Sequence, residues 1–442
     1  MKQERRREPN PLKPLVLPVF LPAVVYATGQ GALAPVMVLA ALSIGFDHAG
    51  SSAVLGIFGL IGVLASPFLG RLITRIGDRK ALTSAGAVTA LSLLVSLLSM
   101  AIGGTYTAFA KIAFVVSLVF VALGGAIWQL GRQAYVAESV GNQWRARGMS
   151  TLGGMSRIGQ LIGPALSTVL VTIWFLGSAF WLAFAMTVIS TIMVLVFLVP
   201  LSGRGGKTEQ KPTQKGSPAS ESKPTAVPEP AVVPQSDKRP EPVVRSWFAT
   251  MVMGIGLNTL GVLRANRNVI VPLWGTFIGV DESVITATFA ISALVDSVMF
   301  LVTGGMMDRF GRMAAIVPSL TIMPAGIVIM LVWPNLPGFI VGASVLGFGN
   351  GFGAGIVMTT GVDLSPSYRR ADFLGLWQAI VNTGNAAGPF IASAMTASLG
   401  VAASLWATAG IGVVGVVWLA ALIKPAYARL GVDTRGRPLK NE

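Results

Sequence analysis

The chain has no cysteine, a single histidine and few charges: Asp, Glu, Lys and Arg together make up 12% of its 442 residues. That is about half the quarter expected of a soluble domain. Without cysteine there are no disulfides, thiol nucleophiles or thiolate metal sites. His48 alone builds neither a metal cluster nor a catalytic triad, and beside Asp47 it reads as a solvated loop residue. The glycine run from Gly347 to Gly355 lacks the Lys-Ser/Thr of a phosphate loop, so it reads as a close-packed or bendable helix. With no ATPase motif and no metal site, uphill work would draw on an ion gradient, H+ above all, and need no cofactor.

Apolar residues are plentiful instead, at 53%. They fall into twelve runs near 15–42, 53–73, 81–103, 111–137, 149–173, 176–200, 247–279, 284–307, 313–333, 337–361, 371–398 and 401–424. A helix crosses a bilayer with ~20 apolar residues. Backbone groups in lipid must bond internally, and runs this long exceed a barrel strand, so the expected fold is an all-α membrane protein. The polar, basic start and the full length of the first run carry no mark of a cleavable signal.

The net charge of +15 invites a nucleic-acid reading, but its placement argues otherwise. With the N-terminus taken as cytoplasmic, 28 of the 33 Lys and Arg fall in the tails and inner loops, and Lys111 alone falls in an outer loop. Arg132, Arg157, Arg264 and Arg267 are inside helices. This split follows the positive-inside rule, with both termini cytoplasmic. The expected surroundings are a lipid bilayer and the plasma membrane, with the chain working as a monomer and binding no nucleic acid.

One stretch, about 201–245, is hydrophilic and rich in Pro, Lys, Glu and Ser, so it reads as a disordered cytoplasmic linker. It divides the chain into a six-helix half at 1–200, a second at 246–425 and a tail at 426–442. The halves repeat one another. Gly304-Gly305-Met306-Met307-Asp308-Arg309-Phe310-Gly311-Arg312 has a weaker copy 234 residues upstream, from Gly70 to Gly77. Glu138 and Arg145 match Asp363 and Arg370 at an offset of 225, as Gly159-xxx-Gly163-Pro164 matches Gly384-xxx-Gly388-Pro389.

The pattern G-x-x-x-D-R-x-G-R between apolar runs resembles the loop signature of the major facilitator superfamily of secondary transporters. The resemblance implies twelve transmembrane helices in two pseudo-symmetric halves, working by alternating access. Sugar porters of that superfamily carry a similar acid-x6-Arg element. This implies a cytoplasmic latch of Arg75, Glu138 and Arg145 in one half, and of Asp308, Arg309, Asp363 and Arg370 in the other. Thr74 replaces the first hairpin's acid and Asp78 stands where a base is usual, so the latch is expected to be asymmetric. Gly159 to Thr168 resembles the G-x-x-x-G-P element of antiporters and drug-efflux members, which tilts the reading toward export.

Charges inside a membrane point to the site, because each costs at least ~2.5–3.5 kcal/mol unless paired or wet. Asp296 is the only acid deep in any helix. Counting from Asp281 at ~1.5 Å per residue, Arg267 and Asp296 reach equal depth on neighbouring helices, an ion pair in reach. Asp296 is therefore the candidate coupling residue, with a purely structural pair as the alternative. Arg132 and Arg157 either face the cavity or snorkel to the interface. If both face it, four Arg against one Asp favour an anionic or strongly hydrogen-bonding substrate.

In the superfamily helices 1, 4, 7 and 10 line the cavity, which here implies Tyr26, Gln30, Trp128, Gln129, Arg132, Asn258, Arg264, Arg267 and Asn350. Arg157, Trp377 and Asn382 complete the set, with interhelical packing the competing role for each amide or ring. The expected function is ion-coupled export of a small organic or drug-like compound, rather than enzymatic chemistry. Uptake of an organic anion or sugar, and a lipid or glycolipid flippase on the same scaffold, are the alternatives.

Overall fold

The structure, a computed structural model, describes residues 12–140, 142–199, 243–353, 355–366 and 370–434, without the side chains of 62, 63, 66, 67, 142, 143, 145, 146, 301, 308 and 370–372. The linker at 201–245 lies outside the described residues up to 242, as does the tail from 435.

After short turns at Lys13–Leu15 and Val16–Phe20, fourteen α-helices follow among the described residues. In the first half they are α1 (Leu21–Leu33), α2 (Met37–Ser43), α3 (His48–Ile76), α4 (Asp78–Ile102), α5 (Thr107–Ser139), α6 (Asn142–Ile173) and α7 (Ser178–Phe197). In the second they are α8 (Trp247–Phe277), α9 (Glu282–Phe310), α10 (Met313–Val332), α11 (Leu336–Phe352), α12 (Ile356–Leu364), α13 (Arg370–Leu399) and α14 (Val401–Ala428). Ten stretches among the described residues are long and apolar enough to cross a membrane. Two of the twelve expected spans fall short of that measure. α3 is counted over His48–Ile61 among the described residues, though its sequence stays apolar to Gly70 before Arg71 and Arg75, while Gln378, Asn382, Thr383 and Asn385 interrupt α13.

Helix starts use short polar side chains. Asp47 accepts from Gly50 N at 2.9 Å, Ser246 from Ala249 N at 3.3 Å and Asn335 from Gly338 N at 3.0 Å, each satisfying an amide that lacks an intrahelical partner. The two copies of the charged hairpin turn at Gly77 and Gly311, with φ of 83° and 88°. Only glycine adopts that backbone without strain, which is why the glycine is present in both copies. The expected bend in the tenth span is a full break. α11 ends at Phe352, and α12 begins after Gly355, which is left-handed at φ 81°.

Packing repeats as the sequence does. α1 lies along α6 as α8 lies along α13, and α4 along α5 as α10 along α11. The halves meet where α3 packs on α13 and α6 on α9. Near the face that carries Asp47 this seam is tight. Ser393 donates to Ala49 O at 2.9 Å, and a Cβ at Gly56 would stand 3.0 Å from the Phe390 ring. Toward the face that carries Arg75 and Arg309 the seam parts. Cβ atoms at Gly70, Gly153, Gly154, Gly304, Gly305 and Gly375 would meet nothing within 4 Å, and Phe68 and Phe310 are exposed. The molecule is open toward its charged hairpins.

His48 is not the solvated residue its loop suggested. It opens α3, is half-buried, and packs edge-on against Phe277 with ring centroids 6.4 Å apart.

Candidate functional site

The polar residues of α8, α9 and α11 form one network inside the second half. Arg267 Nη1 reaches Asp296 Oδ2 at 3.2 Å, and its Nη2 donates to Ser292 Oγ at 3.1 Å. Ser292 in turn donates to Ala343 O on α11 at 2.6 Å. Asn350 gives its amide N–H to Asp296 Oδ2 at 2.6 Å and accepts Arg264 Nε at 2.9 Å on its own carbonyl. The amide thus links a guanidinium to a carboxylate without direct contact. Close approach is possible because α11 carries glycines. A Cβ at Gly351 would collide with the Asp296 backbone and one at Gly347 with that of Ser292.

The pair is only partly sealed: Asp296 is 17% exposed and Arg267 8%. Asp296 Oδ1 has no hydrogen-bond partner among the described residues, although it is buried. A carboxylate oxygen left free in a low-dielectric site is costly unless a proton, water or ligand completes it.

The first half contributes an aromatic cluster. Tyr26 and Trp128 stack with centroids 4.6 Å apart and planes at 2°, and Arg132 lies 5.6 and 5.5 Å from the two rings. Arg132 Nε donates back to Trp128 O at 2.9 Å. The guanidinium is buried rather than snorkelling, held over ring faces as a cation–π contact. Tyr26 Oη, Trp128 Nε1, Gln30 Nε2 and Arg132 Nη1 are buried without a partner among the described residues. Arg157 also does not snorkel. It crosses the seam and sits 4.0 Å from the Phe300 ring on α9, within electrostatic reach of Asp296. Gln129 is exposed.

Other expected site residues are occupied by packing. Asn258 donates to Ile380 O at 2.7 Å and Thr383 Oγ1 at 2.9 Å, fastening α8 to α13. Trp377 is fully buried and donates to Val357 O at 2.8 Å. Asn382 accepts from Asn385 of its own helix at 3.2 Å. Sequence reasoning passed over Ser292, although it lies one helical turn before Asp296, the (i, i+4) spacing that shares a face. It also passed over Asn266, which donates to Thr408 on α14 at 2.8 Å.

The small-residue elements close-pack in both halves. A Cβ at Gly159 or Gly163 would overlap the backbone carbonyls of Val24 or Thr28 on α1. One at Gly384 would overlap Asn258 O on α8.

The latch is built differently from its expectation. Asp363 is held by Arg312, whose Nε and Nη2 donate to its two oxygens at 2.8 and 3.0 Å, and by Tyr427 Oη at 3.1 Å. These bonds raise Arg312 above the ordinary guanidinium value, so it stays charged at any working pH. Arg309 lies instead over the neighbouring Phe310 ring at 5.2 Å, and it is exposed. Fork geometry explains the exchange: Arg312, at the start of α10, meets the end of α12 with both nitrogens. The side chains of Arg145, Asp308 and Arg370 lie outside the described residues. Arg75 and Glu138 are exposed, and no ion pair joins them among the described residues. By the repeat, Arg312 and Asp363 correspond to Asp78 and Glu138. Glu138 acts on Asp78 as one like charge on another, so the ion pair of the second half is an acid pair in the first.

Two halves of membrane-length helices, a polar network inside the second of them and one open face define a polytopic transporter scaffold. The Major Facilitator Superfamily profile matches residues 19–265 and again 246–440, and the chain belongs to that superfamily. No curated protein sequence matches it. Solved structures share the fold at low identity. A POT family transporter in complex with a thioalcohol-conjugated peptide aligns with TM-score 0.69 and 12% identity, over 92% of this chain and 95% of that one. A D-xylose–proton symporter aligns at 0.65 and 16%, over 97% and 100%. A bacterial homologue of the human lysosomal transporter Spinster, inward-facing and unoccupied, aligns at 0.63 and 13%, over 98% and 100%. The chain is a multi-pass membrane transporter of this superfamily, not an enzyme.

Proposed function

We propose that this protein is a proton-coupled secondary transporter of a small organic solute, moving it across the cell membrane by alternating access. The carrying observation is Asp296. It is a partly exposed carboxylate with one oxygen free, held by Arg267 and Asn350 and approached by an arginine of the opposite half. Protonation would loosen its hold on Arg267 and Asn350, and Asp296 stands on α9, the helix that meets α6 of the opposite half. With both termini cytoplasmic, the open face is the inner one, and the site exchanges with the cytoplasm in this state. The protein works as a monomer, needs no cofactor beyond the proton gradient, and has the bilayer as its surroundings.

Export of a drug-like compound is favoured by the Gly-Pro element of α6. The same element recurs in α13, and close packing accounts for the glycines of both copies. The excess of arginine around Asp296 favours a second reading, symport of an acidic solute with the proton. A flippase has less support. The apolar groove of about 670 Å³ lined by Pro324 and Trp406 lies between α10 and α14, away from the charged network.

Counterflow in proteoliposomes against a panel of organic solutes, with and without a pH gradient, tests the proposal. Accumulation that follows the gradient is the expected result. Exchange that ignores the gradient for every solute removes proton coupling.

A further inference from the structure

We infer that the solute carried is an organic anion whose acidic group is held jointly by Arg157 of the first half and Arg264 of the second. This rests on reading the Asp296 cavity as the substrate site, and it adds the substrate's charge and its two anchors.

The local charge does not balance. Arg267 pairs with Asp296 directly, Arg264 reaches it through Asn350, and Arg157 lies over Phe300, one turn along α9 from Asp296, so three guanidiniums surround one carboxylate. Arg267 is satisfied by Asp296, Ser292 and the Phe289 ring at 4.9 Å. Among the described residues Arg264 spends only its Nε, on the neutral carbonyl of Asn350. Arg157 has the Phe300 ring face beneath it and no carboxylate in hydrogen-bond contact among the described residues. The two less committed guanidiniums flank the same carboxylate, Arg264 through Asn350 and Arg157 beside Phe300, so their like charges oppose each other there. Such repulsion is tolerable while the seam is open and wet. It becomes expensive once the halves close and water leaves, unless an anion enters with them.

Geometry selects the same chemistry. Two arginine forks on opposite sides of a moving seam suit a carboxylate or phosphonate, which accepts from both at once. An alcohol would leave the charge uncompensated, and an amine would add to it. Because one anchor sits on each half, an acidic group bridging them favours closure. A proton on Asp296 would remove the anion that competes among the described residues, so proton and solute bind together rather than in exchange.

The test uses the full chain in lipid nanodiscs at constant ionic strength, read by thermal unfolding. The probes are phenylacetate, glutarate and phenylphosphonate, against phenethylamine and 1,5-pentanediol. At least one acid should raise the midpoint with its concentration, while the amine and the diol should not. Arg157→Gln and Arg264→Gln should each weaken that acid about tenfold or more, and Arg157→Lys should keep most of the binding, separating lost charge from lost fold. Asp296→Asn should tighten it roughly tenfold, as expected for removing a competing charge worth about one pK unit. An equal shift with sodium chloride or the amine overturns the inference, as does acid binding that survives in the double Arg→Gln variant. If no acid shifts the midpoint while gradient-driven transport of another solute persists, the anion is wrong and proton coupling stands. If acids bind as described and transport ignores the gradient, the reverse holds.

Discussion

Arg312 grips both oxygens of Asp363, while the residues at the equivalent positions of the first half, Asp78 and Glu138, are both acids, and burial first and the Glu138 charge second push the Asp78 carboxyl up. One half therefore carries a clasp and the other, in the same place, a like-charge pair. Replacing Asp78 with Arg should rebuild the clasp. The expected gain is small, ~0–1 kcal/mol for so exposed a pair, read as a modest rise in unfolding midpoint. Glu138→Gln in the same background should cancel the gain, and a midpoint indifferent to both would show that the acid pair is not strained.

Asp363→Asn removes one charge of a pair whose members are each 12% exposed and leaves Arg312 facing a neutral amide. Breaking a largely buried pair typically costs ~3–5 kcal/mol, and the Tyr427 bond offsets part of that here. The Arg312 amide also holds Thr434 O at 2.9 Å, so the tail should loosen with the clasp. Hydrogen exchange across 429–434 should rise in this variant. Unchanged protection there would separate the tail from the clasp.

Asp296→Asn should abolish gradient-driven accumulation or extrusion while leaving solute exchange partly intact. The amide keeps its neighbours' contacts but cannot release a proton. Proteoliposomes with an imposed pH gradient measure both quantities in one preparation. Full accumulation by the variant would move coupling to another group.

Gly163→Leu should be destabilising, because the side chain would enter the backbone of α1 at Thr28 and Ala32. Overpacking of this kind costs typically ~1–3 kcal/mol. Gly154→Leu, on the same helix and facing open space, should leave the midpoint nearly unchanged. Equal effects at the two positions would contradict the packing described for α6.

The duplicated fold was legible because its signals are local: apolar runs, glycine turns and charge spacing recur at fixed offsets. The Arg267–Asp296 contact followed from counting depth along two antiparallel helices. Asn350 also stood out, as a polar group on a cavity-lining helix, but its bridging role depended on which face α11 turns to α9. For Asn258 and Trp377 the sequence left packing and solute contact open, because an amide or indole inside a helix reads the same either way, and in the structure both bond neighbouring carbonyls. The clasp was expected of Arg309 and Arg370 from a duplicated spacing and a family resemblance; among the described side chains it is Arg312, three residues beyond Arg309, whose fork meets Asp363.

The glycines that face empty space along the open seam carry a cost that this state conceals. A survey of substitutions scored by protein abundance would rate Gly70, Gly154, Gly304 and Gly375 as permissive, since nothing touches them here. Scored by turnover number, the same positions should be among the least forgiving, because the alternating access proposed above would bring them together once in every cycle.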